Sequence, residues 1–243
     1  MCQDRPPAIS TVPPVNRICR YWSNMFEKDQ KAAAEEVARR VGFGPKEIPF
    51  WYDNFHPEIE KEIKASIELA AAFPPSFILA GPVGTGKSGM LSAAFKHWVT
   101  DIFGAADGTI GSMISGIARY CIFLTHNDFI DIVMGELNDN DYSGPMTVEQ
   151  LKAIPFVIID DLLNGSATPY QLSRLEDFID HRYSHGMATW FSTNIKAKDL
   201  KAWPGLERSY SRLADKTWCR YFQLNGADRR RMIQPPSAER SDG

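Results

Sequence analysis

The stretch that decides the fold of this 243-residue chain reads Gly81-Pro82-Val83-Gly84-Thr85-Gly86-Lys87-Ser88. It fits the pattern G-x-x-x-x-G-K-[ST] in full, follows a strand-like run and opens a helical pattern. In that setting Gly84 and Gly86 let backbone N–H groups turn inward around phosphate oxygens. Lys87 would place a cation on the β- and γ-phosphates, and the Ser88 hydroxyl would bind Mg²⁺. We therefore predict that residues 81–88, with the adjacent Gly89, bind ATP together with Mg²⁺.

A second polar site follows about 70 residues later, where Phe156–Ile159 runs into Asp160 and Asp161. Four apolar residues in a row are typical of a buried strand, and α/β sheets bind ligands at the carboxyl ends of their strands. Asp160 is the expected Mg²⁺ ligand alongside Ser88. Asp161 could orient or deprotonate the attacking water, since a general base must lie within hydrogen-bond reach of it.

From Phe50 onward, short apolar runs alternate with helical patterns. This alternation predicts an α/β fold, a P-loop NTPase with a five-stranded parallel sheet and helices on both faces. The predicted strands are Phe77–Ala80, Tyr120–Leu124, Phe156–Ile159, Ala188–Ser192 and Arg220–Leu224. The predicted helices are Glu58–Ala72, Lys87–Ile102, Asn127–Leu137, Tyr170–His185 and Ala197–Leu200. Four glycines in Gly104–Gly116 predict a mobile loop or insertion there.

Composition narrows the class of protein. Hydrophobic residues make up 44% and charged residues 23%, which is ordinary for a soluble globular protein. The four cysteines are far apart in the sequence, which is typical of reduced thiols in a cytoplasmic protein. The N-terminal residues have no apolar run of the signal-peptide kind, and no stretch is long and apolar enough to span a membrane.

Three segments are predicted. Residues 1–49 would form a flexible lead-in and a small helical docking segment, because helical spacing runs from Asn16 to Val41 and ends at glycines and prolines. A helix packed on the main domain is the alternative for that segment. Residues 50–231 would form the ATPase domain, and residues 232–243 a disordered tail.

The ordered set of motifs resembles the AAA+ ATPases of the DnaC helicase-loader and IstB transposition-helper group, over about three quarters of the chain. The residues that carry the resemblance are Tyr52–Phe55, the loop 81–88, Phe156–Leu162, Leu175–Tyr183, Ser192–Asn194, Glu207–Leu213 and Phe222–Arg230. It implies slow ATP hydrolysis, because Asp161 stands where many AAA+ proteins have Glu. About 19 residues follow the last predicted strand, so no C-terminal helical lid is expected.

The resemblance also assigns roles to three polar residues. Asn194 matches the sensor-1 residue, whose amide could contact the γ-phosphate or the attacking water; a helix cap is the alternative. Arg212 matches the arginine finger, and Arg208 matches a second arginine of the loader pattern. Because they are four residues apart, both would lie on one helix face and could point at a neighbouring subunit's nucleotide, which implies an ATP-dependent homo-oligomer. A solvated basic face is the alternative.

The segment from Lys196 to Arg231 has ten Lys and Arg against four Asp and Glu, whereas the whole chain has a net charge of −3. Its cations are interleaved with aromatic residues, a pattern that suits single-stranded DNA. The predicted function is an ATP-dependent loader that acts on a replicative helicase. The alternatives are a transposition helper that acts on a transposase, a P-loop kinase and a nucleotide-binding scaffold without turnover.

Overall fold

The structure is a computed structural model that describes residues 26–52, 56–70, 73–105, 110–138, 146–165, 167–196, 199, 201, 207–226 and 228. The helices in these ranges are α1 (Phe26–Val41), α2 (Pro57–Glu68), α3 (Lys87–Ala105), α4 (Ile110–Tyr120), α5 (His126–Asn138), α6 (Val148–Ala153), α7 (Pro169–Ser184) and α8 (Glu207–Leu213). The strands are β1 (Ser76–Ala80), β2 (Cys121–Thr125), β3 (Phe156–Asp160), β4 (Ala188–Thr193) and β5 (Cys219–Gln223). No helix in these ranges is long and apolar enough to cross a membrane.

The five strands form one parallel sheet in the order β2-β3-β4-β1-β5. All strands therefore end at the same side of the sheet, which we call the carboxyl edge; the side at which they begin is the amino edge. The loop 81–88 follows β1, whereas Asp160 ends β3 and Asp161 follows it. Strand β4 lies between β1 and β3, so the residues at its end lie between the loop and the aspartates.

Alternate residues of each strand face opposite sides, so the sheet carries a core on each face. On one face Phe77, Leu79 and Trp190 pack with apolar residues of α1, α2 and α3. On the other face Ile78 and Phe191 pack with α5, α6, α7 and α8. The predicted α/β class, the parallel sheet and its five strands are confirmed, with each strand end within one residue of its predicted position.

Helix α1 packs on this domain. Its buried residues, which join the core of the first face, are Ala33, Ala34, Val37, Ala38 and Val41. Phe43 follows the helix and stacks on Phe123 of β2 with 4.2 Å between ring centroids. The sequence left open a docking segment or a packed helix, and residues 26–41 are the packed helix. The segment boundaries stay predictions, and residues 1–25 and 232–243, the predicted lead-in and tail, lie outside the described residues.

The prediction of a loop at Gly104–Gly116 is wrong at Gly104 and Ala105, which end α3, and from residue 110 onward, where α4 begins. Ile114, Ile117 and Ala118 recur at helical spacing and pack against the core of the first face. Each glycine inside a helix costs up to about 1 kcal/mol relative to alanine, and the partial burial of Ile114 and Ile117 offsets that cost. Residues 106–109 and most of the predicted helix Ala197–Leu200 lie outside the described residues. Helix α2 ends at Glu68, four residues before its predicted end, and α6 was not predicted.

Candidate nucleotide site

The loop after β1 has the backbone that its glycines predict. Gly84 has φ +84° and Gly86 has φ +91°, both in the left-handed region that favours glycine. A Cβ atom on Gly84 would also overlap Oδ1 of Asp228, so a side chain there would displace Asp228 as well as strain the backbone. Inside the loop the Thr85 hydroxyl donates to the Pro82 carbonyl at 2.8 Å, and Gly86 O accepts the first helical bond of α3 at 2.9 Å.

Lys87 is the buried cation of this loop. Its Nζ donates to Gly81 O at 3.0 Å, to Pro82 O at 2.9 Å and to Asn194 Oδ1 at 2.7 Å. Asn194 follows β4, so the third contact joins two motifs that are 107 residues apart in the sequence. The structure therefore brings the predicted loop lysine and the predicted sensor-1 amide together.

Asp160 and Asp161 lie at the carboxyl edge, one strand away from Asn194. Asp160 is the last residue of β3 and is 6% exposed. Asp161 has φ +53°, an unusual conformation for a residue with a side chain, and such conformations cluster at functional sites. The Ser192 hydroxyl contacts both residues, donating to Asp160 Oδ1 and accepting from the Asp161 N–H at 2.9 Å.

The donor set of this edge suits a phosphate group with a divalent cation. Ser88, in the first turn of α3, offers a hydroxyl, and Asp160 offers a carboxylate; these are the hard oxygen ligands that Mg²⁺ prefers. Lys87 offers a positive charge at the start of a helix, where the macrodipole also favours an anion. Pro82 and Val83 are exposed at the tip of the loop, with Val83 57% exposed.

Three residues at the loop were not predicted from the sequence. His56 Nε2 lies 3.0 Å from the Thr85 carbonyl oxygen, and the ring of Phe50 lies against Gly89 at the start of α3. Asp228 contacts Gly84 from the segment that follows β5. His56 directly follows the Tyr52–Phe55 box, and Asp228 lies within the Phe222–Arg230 motif. The position of His56 beside one motif and of Asp228 within another was the available signal.

The two predicted arginines lie on α8, which contributes no residue to the loop 81–88. Arg208 is exposed, and Arg212 Nε donates to Asp180 Oδ1 of α7 at 2.9 Å. The Arg212 guanidinium also lies over the ring of Tyr183, 4.7 Å from its centroid. The Asp180 carboxylate raises the pKa of Arg212 above its ordinary value, because it stabilises the protonated guanidinium. Arg212 is therefore positioned by α7 of its own chain.

Arg212 and its contacts Asp180 and Tyr183 lie at the amino edge of the sheet. Asp180 is in the last turn but one of α7, which leads into β4, and Arg212 is in the last turn of α8, which leads into β5. Trp218 Nε1 donates to the carbonyl of Met187, the residue just before β4, at 3.3 Å, and its ring contacts Tyr183. The sheet therefore separates Arg212 from the loop of its own chain.

No protein-family model and no curated protein matches the sequence. Among solved structures, a protein described as a primosome component from Streptococcus pyogenes is similar with a TM-score of 0.54 and 18% identity, covering 79% of this chain and 97% of that one. The DnaC helicase loader is similar with a TM-score of 0.50 and 14% identity, covering 72% of this chain and 93% of that one.

The replication initiator DnaA, bound to AMPPCP and single-stranded DNA, is similar with a TM-score of 0.54 and 15% identity. That match covers 76% of this chain and 52% of DnaA, so this chain corresponds to about half of the initiator. At such low identity a structural match carries the fold alone. The described part of the chain therefore has the same fold as the matched parts of the DnaC helicase loader and of DnaA.

Proposed function

We propose that this protein is an ATP-dependent switch of the DnaC-like helicase-loader type, which binds ATP with Mg²⁺ and acts on a replicative helicase at single-stranded DNA. The observation that carries the proposal is the contact between Lys87 and Asn194 beside Asp160 at one edge of the sheet. These residues lie at the carboxyl ends of three strands, β1, β4 and β3, which is where parallel α/β sheets bind ligands.

Each residue has a distinct role in this proposal. Lys87 and the N–H groups of the loop bind the phosphates, while Ser88 and Asp160 hold Mg²⁺, which neutralises charge on the phosphates when it is bound. Asp161 orients or deprotonates the attacking water. Asn194 hydrogen-bonds the terminal phosphate or that water, which requires its amide to exchange the Lys87 contact for a new one.

The position of Arg212 supports a homo-oligomer over a kinase. A kinase lid arginine acts on the nucleotide of its own chain, whereas Arg212 lies at the amino edge, across the sheet from its own loop. An arginine finger supplied by a neighbouring subunit needs this outward position. We infer that subunits assemble head to tail, so that Arg212 of one contacts the nucleotide of the next.

The proposed DNA and protein partners rest on charge and on the neighbours. The segment Lys196–Arg231 carries the local positive charge, and within its described part Arg208, Lys216 and Arg220 are exposed. Phe222 is buried in the core, which removes it from the aromatic residues that could stack on bases. The triplet Arg229–Arg231 lies outside the described residues and stays a predicted DNA contact.

The experiment that tests the ATP site is a direct titration with a fluorescent ATP analogue, alongside phosphate release with and without single-stranded DNA. We expect saturable, Mg²⁺-dependent binding that Lys87→Ala abolishes, and phosphate release that DNA changes. Lys61→Ala is the matched control, because Lys61 is exposed on α2. Equal binding by Lys87→Ala and wild type would refute the assignment of the site.

The partner is tested by pull-down of a purified replicative helicase and, separately, of a transposase from the same host, each with ATP and without nucleotide. We expect ATP-dependent retention of the helicase alone. Retention of the transposase alone would replace the loader with the transposition helper, and retention of neither would contradict both.

A further inference from the structure

Ser192 is a buried hydroxyl between the two aspartates of the site. It is the fifth residue of β4, it is 0% exposed, and it lies opposite Asp160 on the neighbouring strand β3. Its hydroxyl donates to Asp160 Oδ1 and accepts the Asp161 N–H at 2.9 Å. A serine hydroxyl has one proton, so its single donor is committed to the Asp160 carboxylate.

The backbone around Ser192 fixes the same turn. The Leu162 N–H donates to Ser192 O at 2.7 Å, and the Thr193 hydroxyl donates to Leu162 O at 2.9 Å. The turn that follows β3 is therefore tied to β4 by bonds that do not involve the Ser192 side chain. Removing the hydroxyl should leave this turn attached to the sheet while releasing the Asp160 carboxylate.

A carboxylate that binds a cation needs a fixed orientation. The hydrogen bond from Ser192 engages Oδ1 and so limits rotation of the Asp160 carboxyl group, while Oδ2 takes no part in that bond. Partners of this kind, which orient a ligand without touching the metal, typically change metal affinity by about 10- to 100-fold when removed. The oxygen of the same hydroxyl accepts a hydrogen bond from the N–H of Asp161, the residue with φ +53°.

We propose that Ser192 is a positioning residue that sets the affinity of the site for Mg²⁺ by orienting Asp160, and that it fixes the backbone of Asp161. The inference rests on the proposed function, because it presumes that Asp160 holds Mg²⁺ beside a bound nucleotide. It differs from a purely structural role, in which the hydroxyl would add stability to the sheet and leave cation affinity unchanged.

The chain offers a matched control in Ser76. This serine is 2% exposed, accepts the N–H of Thr189 at 3.0 Å and contacts the Met187 carbonyl at 3.4 Å. It therefore also links a buried hydroxyl to a neighbouring strand, but at the amino edge. Ser76→Ala removes the same group at the same depth without touching the candidate site.

The test measures cation binding by equilibrium methods in wild type, Ser192→Ala and Ser76→Ala. Mn²⁺ is titrated into each protein with saturating ADP and followed by electron paramagnetic resonance, and the Mg²⁺ dependence of fluorescent ATP-analogue binding is measured in parallel. We expect the cation dissociation constant to rise about 10- to 100-fold in Ser192→Ala and to stay unchanged in Ser76→Ala. Nucleotide affinity without a divalent cation should stay unchanged in both.

Melting temperatures of wild type, Ser192→Ala and Ser76→Ala show whether a change in cation affinity comes with a change in stability. Equal cation constants in Ser192→Ala and wild type would overturn the inference while leaving the proposed function intact. A Ser192→Ala protein that does not fold would also overturn it, because the hydroxyl would then be structural. Failure of the wild type to bind cation with nucleotide would instead refute the proposed function.

Discussion

Arg212→Ala tests whether the arginine acts on a neighbouring subunit. Strand β1 has five residues, so at about 3.3 Å per residue the amino edge and the carboxyl edge of the sheet are about 16 Å apart. Arg212 lies at the amino edge, where Asp180 binds it at 2.9 Å, so its side chain cannot reach the loop beyond the carboxyl edge. The substitution should leave ATP affinity unchanged and lower the hydrolysis rate of the assembled protein by about 10³–10⁵, the range seen for arginine fingers.

The assay mixes two inactive proteins. Lys87→Ala cannot bind ATP but retains Arg212, and Arg212→Ala binds ATP but offers no arginine to its neighbour. In an equal mixture that assembles head to tail at random, about a quarter of the interfaces pair an intact loop with an intact arginine. Phosphate release should therefore recover to about a quarter of the wild-type rate, and wild-type turnover should rise with protein concentration.

The control is Lys61→Ala, which removes an exposed cation of α2 and should keep full activity. Light scattering must show that the two mutants assemble together. If they do and no activity returns, or if Arg212→Ala alone keeps the wild-type rate, then Arg212 does not act on the nucleotide of a neighbouring subunit. Turnover that is independent of concentration would then favour a chain that acts alone.

Three further substitutions test the site and its support. Gly84→Ala should weaken ATP-analogue binding in a folded protein, because a side chain at φ +84° strains the loop and displaces Asp228; normal binding would contradict this account of the loop. Arg182→Met should lower the free energy of unfolding in urea by about 3–5 kcal/mol, since the guanidinium is 0% exposed and donates to several carbonyls, among them Ile154 at 2.6 Å; a loss below about 1 kcal/mol would contradict it. Burial lowers the pKa of Lys96 from 10.5 to about 8, so the unfolded state binds more protons between those values and wild-type stability should rise with pH there. Urea unfolding at pH 7.5 and pH 10 should show that rise in wild type relative to Lys96→Met, and equal pH dependence of the two would refute it.

Local patterns were enough to predict the sheet and the two motifs at its carboxyl edge. The pattern of residues 81–88 requires a strand before it and a helix after it, and the structure has both. The run Phe156–Ile159 is apolar at every position, as a strand covered on both faces must be. Alternation of such runs with helical patterns implies parallel strands, because a parallel connection needs a crossover. These inferences needed only residues close together in the sequence.

The same local patterns misjudged Gly104–Gly116. Glycine has a low helix propensity, so the glycines of this stretch favoured a loop even though Ile114 and Ile117 lie among them. Contact of those isoleucines with the core of the first face decides the helix, and that contact is made with residues far away in the chain. Packing of this kind overrides propensity, because burial contributes more free energy than the glycines cost.

Motifs in the sequence were enough to name the candidate site residues Lys87, Ser88, Asp160 and Asn194. Only the tertiary structure decided which of them meet. The 2.7 Å contact of Lys87 with Asn194 depends on the strand order that sets β4 beside β1. The same order places Ser192 against Asp160. Strand order is set by burial of both faces of the whole sheet, which no single stretch of sequence encodes.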